Sequence, residues 1–328
     1  MNSPAVRRPA APPRIEYRHQ AADQSLGADL LFAVEFGLEA APVNARRARV
    51  ALRPLCGAGL IEVWHATGKV TTGFDGAIRY SADPNYLAGA IELDERECGG
   101  LHAAAEQAYR SIVSFQNRSD HPHLLRIWNY LDAINEGEAD AERYRIFCAG
   151  RKQGLGEGSE RYPAATAIGR RDGRRILQVY WLAGREPGVA LENPRQVSAF
   201  RYPRRYGPAA PTFSRAMQLS PGLLMISGTA SIIGHATHHA GDSQRQLDEI
   251  FSNLAALLAR AHERDASLPA GFSSDTLIKV YLRHAHDAPL VERELTARLP
   301  AGTPFLVLEG DVCRADLLVE LDCLHAAR

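Results

Sequence analysis

The chain has no excess of charge of either sign: Lys+Arg and Asp+Glu both number 38 in 328 residues. Without a basic field there is nothing to draw nucleic acid or an anionic membrane surface, so neither is an expected partner. An anionic small molecule would have to be caught by arginines placed locally. Cysteine is scarce and odd in number. Cys56, Cys98, Cys148, Cys313 and Cys323 are scattered with no C-x-x-C pair, which argues against a disulfide framework or a structural zinc site and for a reducing, cytoplasmic setting. No apolar run approaches the ~18 residues that a membrane span needs. The opening MNSPAVRRPAAPPR has charge but no apolar core of a signal peptide. There is no G-x-G-x-x-G after a strand, no G-x-S-x-G elbow and no H-E-x-x-H helix, so dinucleotide binding, serine hydrolysis and zincin chemistry lack their signatures. His235, His238 and His239 cluster in GHATHH without a carboxylate pair beside them. Loop anchoring or pocket lining is expected of them, and neither a metal nor a cofactor.

What is present reads as two related halves. A chain of this length exceeds the usual single core. Residues 1–20, rich in Pro and Ala, read as a loose arm, 21–190 as an N-terminal half and 191–328 as a C-terminal half, with five prolines between Glu186 and Pro211 marking the connector. In the second half Asp242 is an expected N-cap, followed by Leu247, Ile250, Phe251, Leu254, Leu257 and Leu258 at helical spacing. A turn (LPAGFSSD), a strand (TLIKVYLRHAHD), a short helix (Pro289 to Leu299) and strands PFLVLEGDVC and ADLLVELDCLH complete it. The first half has the same grammar: a helix over Glu97 to Phe115, a strand LLRIWNYLDAIN, a helical piece from Ala139 to Ala149 and a strand RRILQVYWLAG. QGLGEGSERYPAATAIG is read as a loop. The pattern is that of a diverged duplication of a βαβ unit.

The most informative stretch runs from Arg204 to Asp242. It holds Tyr206-Gly207, Phe213-Ser214-Arg215 and Ser227-Gly228-Thr229, which supply a phenol for a hydroxyl, an arginine for a carboxylate and a glycine where backbone must approach a ligand. In LLVELDC, Leu318, Glu320 and Asp322 share one strand face and Leu317, Val319, Leu321 and Cys323 the other. By pattern alone Glu320 is either a solvated residue on an edge strand or a buried acid. If buried, it must be paired or protonated, because an ionised carboxyl is costly to desolvate.

The second half, with its Ser-Gly-Thr, amphipathic helix and closing V-E-L-D, resembles the RidA (YjgF) superfamily. The arginine that deaminases of that family carry about fifteen residues before the closing glutamate is replaced here by Pro304-Phe305, which speaks against imine deamination. The motifs WNYLDAIN, ERYRIFCAGR, RRYGPAAPTFSRA, LLMISGTASIIGHATHHAGD and CRADLLVELD, spread from Trp128 to Asp322, resemble the chorismatase family. That resemblance implies an α+β fold of two RidA-like halves. Each half would be a mixed sheet with helices on one face, and the sheets would enclose a pocket between them.

It also implies an enzyme that cleaves the enolpyruvyl ether of chorismate without cofactor or metal. Glu320 would be the acid, Arg151 and Arg215 would clamp the carboxylates, and Tyr206 and Tyr144 would position the ring. Backbone at Gly228 and Thr229 would approach the ligand, and Cys313 would shape the wall. A cysteine seven residues before the glutamate is the mark of the branch forming 3-hydroxybenzoate and pyruvate. The rivals are hydrolysis to the dihydroxycyclohexadiene carboxylate, a mixture of 3- and 4-hydroxybenzoate, and a non-catalytic RidA-like module binding a small carboxylate. Fusion of two halves is taken to favour a monomer.

Overall fold

The computed structural model describes residues 12–19, 27–39, 44–156, 162–219 and 222–326. Two large sheets are built to one plan. The first runs in the order β10-β9-β11-β8-β7-β6: Ala164–Arg170, His123–Asp132, Ile176–Gly184, Tyr86–Asp94, Ile78–Ala82 and Thr71–Asp75. The second runs β18-β17-β19-β14-β13-β12: Phe305–Glu309, Leu277–Leu282, Val319–Ala326, Leu223–Ala230, Ala216–Leu219 and Val189–Leu191. In each, one pair is parallel (β9 with β10, β17 with β18) and the rest are antiparallel. The duplication expected from the sequence is thus visible as matching topology in an α+β architecture.

Each sheet carries its helices on its outer face. Over the first lie α1 (Glu95–Cys98), α2 (Leu101–Arg118) and α3 (Arg143–Leu155). The helix expected from Glu97 is split by Gly99 and Gly100, at φ of 86° and 112°, a left-handed backbone that side chains disfavour. The apolar stripe Leu101, Ala104, Ala108, Ile112 and Phe115 is buried as its spacing requires. Over the second sheet lie α4 (Ser243–Arg264) and α5 (Ala288–Arg298). Asp242 caps α4, its side chain accepting from the Arg245 backbone N–H. The α4 leucines lie fully buried against Val319, Leu321 and Cys323, and each contributes about 1.5–3 kcal/mol.

Three readings are corrected by the structure. The stretch from 153 to 169 is not all loop: α3 runs on to Leu155, and β10 begins at Ala164 in an apolar run too short for periodicity to identify. The arm of residues 1–20 contains β1 (Ile15–His19), paired with β5 (Leu60–His65); residues 1–11 and 20 lie outside the described part. The start of the chain also forms a third sheet, ordered β1-β5-β2-β3 with β2 at Leu30–Phe36 and β3 at Arg47–Val50. Its pattern, two antiparallel pairs and then a parallel one, repeats the order β8-β11-β9-β10 without the helices. β4 (Arg53–Cys56) leaves it to pair with β18. All three sheets turn a face to one shared core containing Phe32, Trp64, Trp128, Tyr130, Tyr180, Met225 and Tyr281.

Candidate active site

The seam between the halves is made where β10 lies against β14. Ser227 ties it: its hydroxyl accepts from the Ala165 N–H (2.8 Å) and donates to the Ser214 carbonyl (2.6 Å). The ladder between β14 and β19 is broken between Ile226 and Thr229, which pushes Gly228 out of register toward β10. A cavity of about 520 Å³ opens at this point, of the size small-molecule sites occupy. The hairpin of β15 (Ile232–Ile233) and β16 (Ala236–Thr237) lies at its rim, and Ile232 lines it.

Glu320 is on the floor. β19 is flanked by β14 and β17, so the alternative of a solvated edge is overturned; the residue is 4 % exposed and faces the cavity. Burial, and then the carboxylate of Asp322, push its pKa up to about 8, against the pull of Arg126 and Arg215. It therefore stands protonated at neutral pH. Gly228 makes the room: a Cβ on it would overlap Glu320 Oε1. Gly228→Ala should accordingly displace the acid and lower turnover at least tenfold while leaving the melting temperature within a few degrees. Full activity in that variant would show that Glu320 needs no such seat.

Arg151, on α3, is buried above the ring of Tyr109 (4.9 Å), and its Nε and Nη2 have no hydrogen-bond partner among the described residues. An unpaired buried guanidinium is costly, and an anion in the cavity is the partner that the geometry offers it. Arg215 is half committed. Its Nη2 donates to the Val197 carbonyl (2.9 Å) and to Tyr202 Oη (2.8 Å), while its Nε is left over. Tyr206 lines the wall with Arg314 over its ring (4.2 Å) and its hydroxyl 3.2 Å from His235 Nδ1. Tyr144 also lines the cavity; burial, then Cys148 and Cys313, raise its hydroxyl well above the usual range. Cys313 stands next to Glu320, its thiol pushed up by burial and then by that carboxyl. A thiol so disfavoured as thiolate is a wall, not a nucleophile.

One candidate is not brought in. Thr229 donates its hydroxyl to the Ser227 carbonyl (3.0 Å) and does not line the cavity, and the Gly228 N–H is spent on Thr166 Oγ1 (3.0 Å). The glycine serves by its missing side chain and not by its amide. The structure also adds residues. Arg145, Arg205 and Arg314 join the lining, with Tyr202 and Thr166. The three arginines stand inside the motifs ERYRIF, RRYG and CRAD, but none of them was among the sequence candidates. Thr166 carries no signal in the sequence, because the short strand β10 shows no alternation that would mark it.

Comparison with known proteins gives the same answer. Residues 62–183 match the family model described as chorismatase FkbO/Hyg5-like, N-terminal. The chain is 38% identical over 274 residues to a chorismatase of Streptomyces rapamycinicus, covering 80% of each protein. It is 34% identical over 275 residues to a 3-hydroxybenzoate synthase of Streptomyces hygroscopicus, again 80% of each. A chorismatase crystal structure superposes with a TM-score of 0.86 at 32% identity, over 96% of this chain and 98% of that one. A seam cavity with a buried neutral acid and an unpaired arginine, found in a chain this similar to those proteins over four fifths of its length, places the protein in the chorismatase family of enzymes.

Proposed function

We propose that the enzyme converts chorismate to 3-hydroxybenzoate and pyruvate. The observation that carries the reading is Glu320, protonated through neutral pH at the floor of a cavity whose walls hold five arginines, Arg145, Arg151, Arg205, Arg215 and Arg314. Chorismate brings two carboxylates for guanidinium groups and an enol ether whose vinyl methylene accepts a proton. Delivery of the Glu320 proton to that carbon makes an oxocarbenium at the ether carbon, the point from which the side chain leaves as pyruvate. The atoms of chorismate equal those of 3-hydroxybenzoate plus pyruvate, so no net water is consumed. The hydrolytic route to the diol takes up one water.

Cys313 favours the first outcome. It fills the wall beside Glu320, where a smaller residue would leave room for a water next to the activated intermediate. Incubation with chorismate, with pyruvate measured enzymatically and the ring product identified by chromatography, tests the whole reading; absence of pyruvate overturns it. Cys313→Ala should keep pyruvate release and shift the ring product from 3-hydroxybenzoate toward the diol. Loss of all pyruvate release in a folded variant would make the thiol a participant instead, and an unchanged product ratio would take it out of the pocket wall.

A further inference from the structure

Two residues beyond the acid, on the same face of β19, lies a second carboxyl. Asp322 is 3 % exposed, and its Oδ2 alone faces Trp128 Nε1 (3.0 Å), Tyr281 Oη (3.0 Å), Thr166 Oγ1 (3.1 Å) and Arg126 Nη2 (3.2 Å). The indole and the guanidinium can only donate. Thr166 Oγ1 already accepts from Arg126 Nη2 (2.5 Å) and from the Gly228 N–H, so its proton is directed at Asp322. Four converging donors suit an ionised carboxylate and leave a protonated one without a complementary environment. Matching the two large sheets at Tyr130 and Tyr281, the first sheet has Gln178 opposite Tyr130 and Tyr180 opposite Trp128. The second has Glu320 opposite Tyr281 and Asp322 opposite Lys279. The pair of carboxyls therefore belongs only to the half that bears the acid.

We propose that Asp322 is a positioning residue for catalysis, a carboxylate locked by β9, β10 and β17 on the same face of β19 as Glu320, whose charge disfavours a second carboxylate beside it. The proposal rests on the reading of Glu320 as the acid. The surrounding charges leave it that task. Lys279, which also faces Asp322 from β17, is paired with Glu62 at 2.6 Å, and both are fully buried. Tyr17, Tyr130 and Tyr180 face the same cluster as neutral phenols, each held well protonated chiefly by burial. Around Glu320 itself stand Arg126, Arg215, Tyr144 and Cys313. Of these groups only the two arginines oppose protonation, and Arg126 is shared with Asp322. Burial and the Asp322 charge are the two causes that raise the acid, in that order.

The test reads the titration of Glu320 twice, by the alkaline limb of pyruvate release against pH and by the 13C carboxyl resonance in the ligand-free protein, assigned by its loss in Glu320→Gln. Asp322→Asn is expected to move both midpoints down by about one pH unit or more. The double variant Asp322→Asn/Arg126→Gln, with the pair neutral, should bring them back toward the wild type. A purely structural Asp322 would lower turnover without moving either midpoint, and that result overturns the proposal. The wild type supplies a check that does not depend on a variant folding. Its Asp322 carboxyl carbon, assigned through the backbone, should stand at the ionised position while the Glu320 carbon stands at the protonated one, and a protonated Asp322 beside it also overturns the proposal. The resonance readings need no turnover, so a protein that releases no pyruvate sinks the functional reading and leaves this one separately decided.

Discussion

Glu320→Gln is expected to bind chorismate nearly as the wild type does and to release pyruvate ~10²–10⁴-fold more slowly, the usual worth of a general acid. The amide keeps the volume under Gly228 and the hydrogen-bonding capacity, but has no proton to give at the vinyl carbon. Turnover above about a tenth of the wild type would show that another group is the donor. A stability signature accompanies it. Burial, and then Asp322, push the Glu320 carboxyl up to about 8 in the folded protein, against an ordinary glutamate value of 4.5. Between those values the unfolded chain releases a proton that the folded one retains. The wild type therefore loses stability as pH rises through that window, by as much as about 1.4 kcal/mol per pH unit for one group. Glu320→Gln escapes that loss. Its advantage in melting temperature over the wild type should grow from pH 5 to pH 8 and then level off, and a difference independent of pH would mean the acid is not held protonated by the fold.

Arg151→Met should weaken substrate binding strongly and stabilise the empty protein. The guanidinium is buried with Nε and Nη2 unsatisfied, so the free enzyme bears its desolvation and the ligand relieves it. Each charged hydrogen bond lost is worth about 1.5–3 kcal/mol, so the two together imply at least a hundredfold rise in KM. Methionine fills most of the same space over Tyr109 without the charge. Substrate affinity and melting temperature should thus move in opposite directions. A variant that binds chorismate as before, or that melts earlier, would show that Arg151 is a structural cation and not a clamp.

Much of this was legible in the amino-acid order. The stripe from Leu247 to Leu258 announces α4 because 3.6-residue periodicity survives any tertiary context, and Asp242 announces its start because four orphan N–H groups need an acceptor. The closing strand read correctly because Val319, Leu321 and Cys323 alternate with Glu320 and Asp322. Arg151, Arg215, Tyr144, Tyr206, Gly228, Cys313 and Glu320 all meet at one cavity. Where the reading failed, local pattern was mute. β1 and β10 are short strands whose pairing partners lie 38 or more residues away, and no window along the chain contains that information.

What the sequence determined by itself is the helices α2 and α4, the central strands of the two halves and the motifs that hold the chemistry, because these depend on neighbours along the chain. What only the tertiary structure decided is the state of each group. Glu320 is a neutral acid because β19 is an inner strand and Asp322 stands beside it. Gly228 matters for the atom it lacks, Thr229 turns away, and Arg151 keeps two guanidinium nitrogens without a hydrogen-bond partner among the described residues. Burial and the distance between charges set protonation and the readiness to bind an anion, and both are properties of the packed molecule that residue order along a strand does not contain.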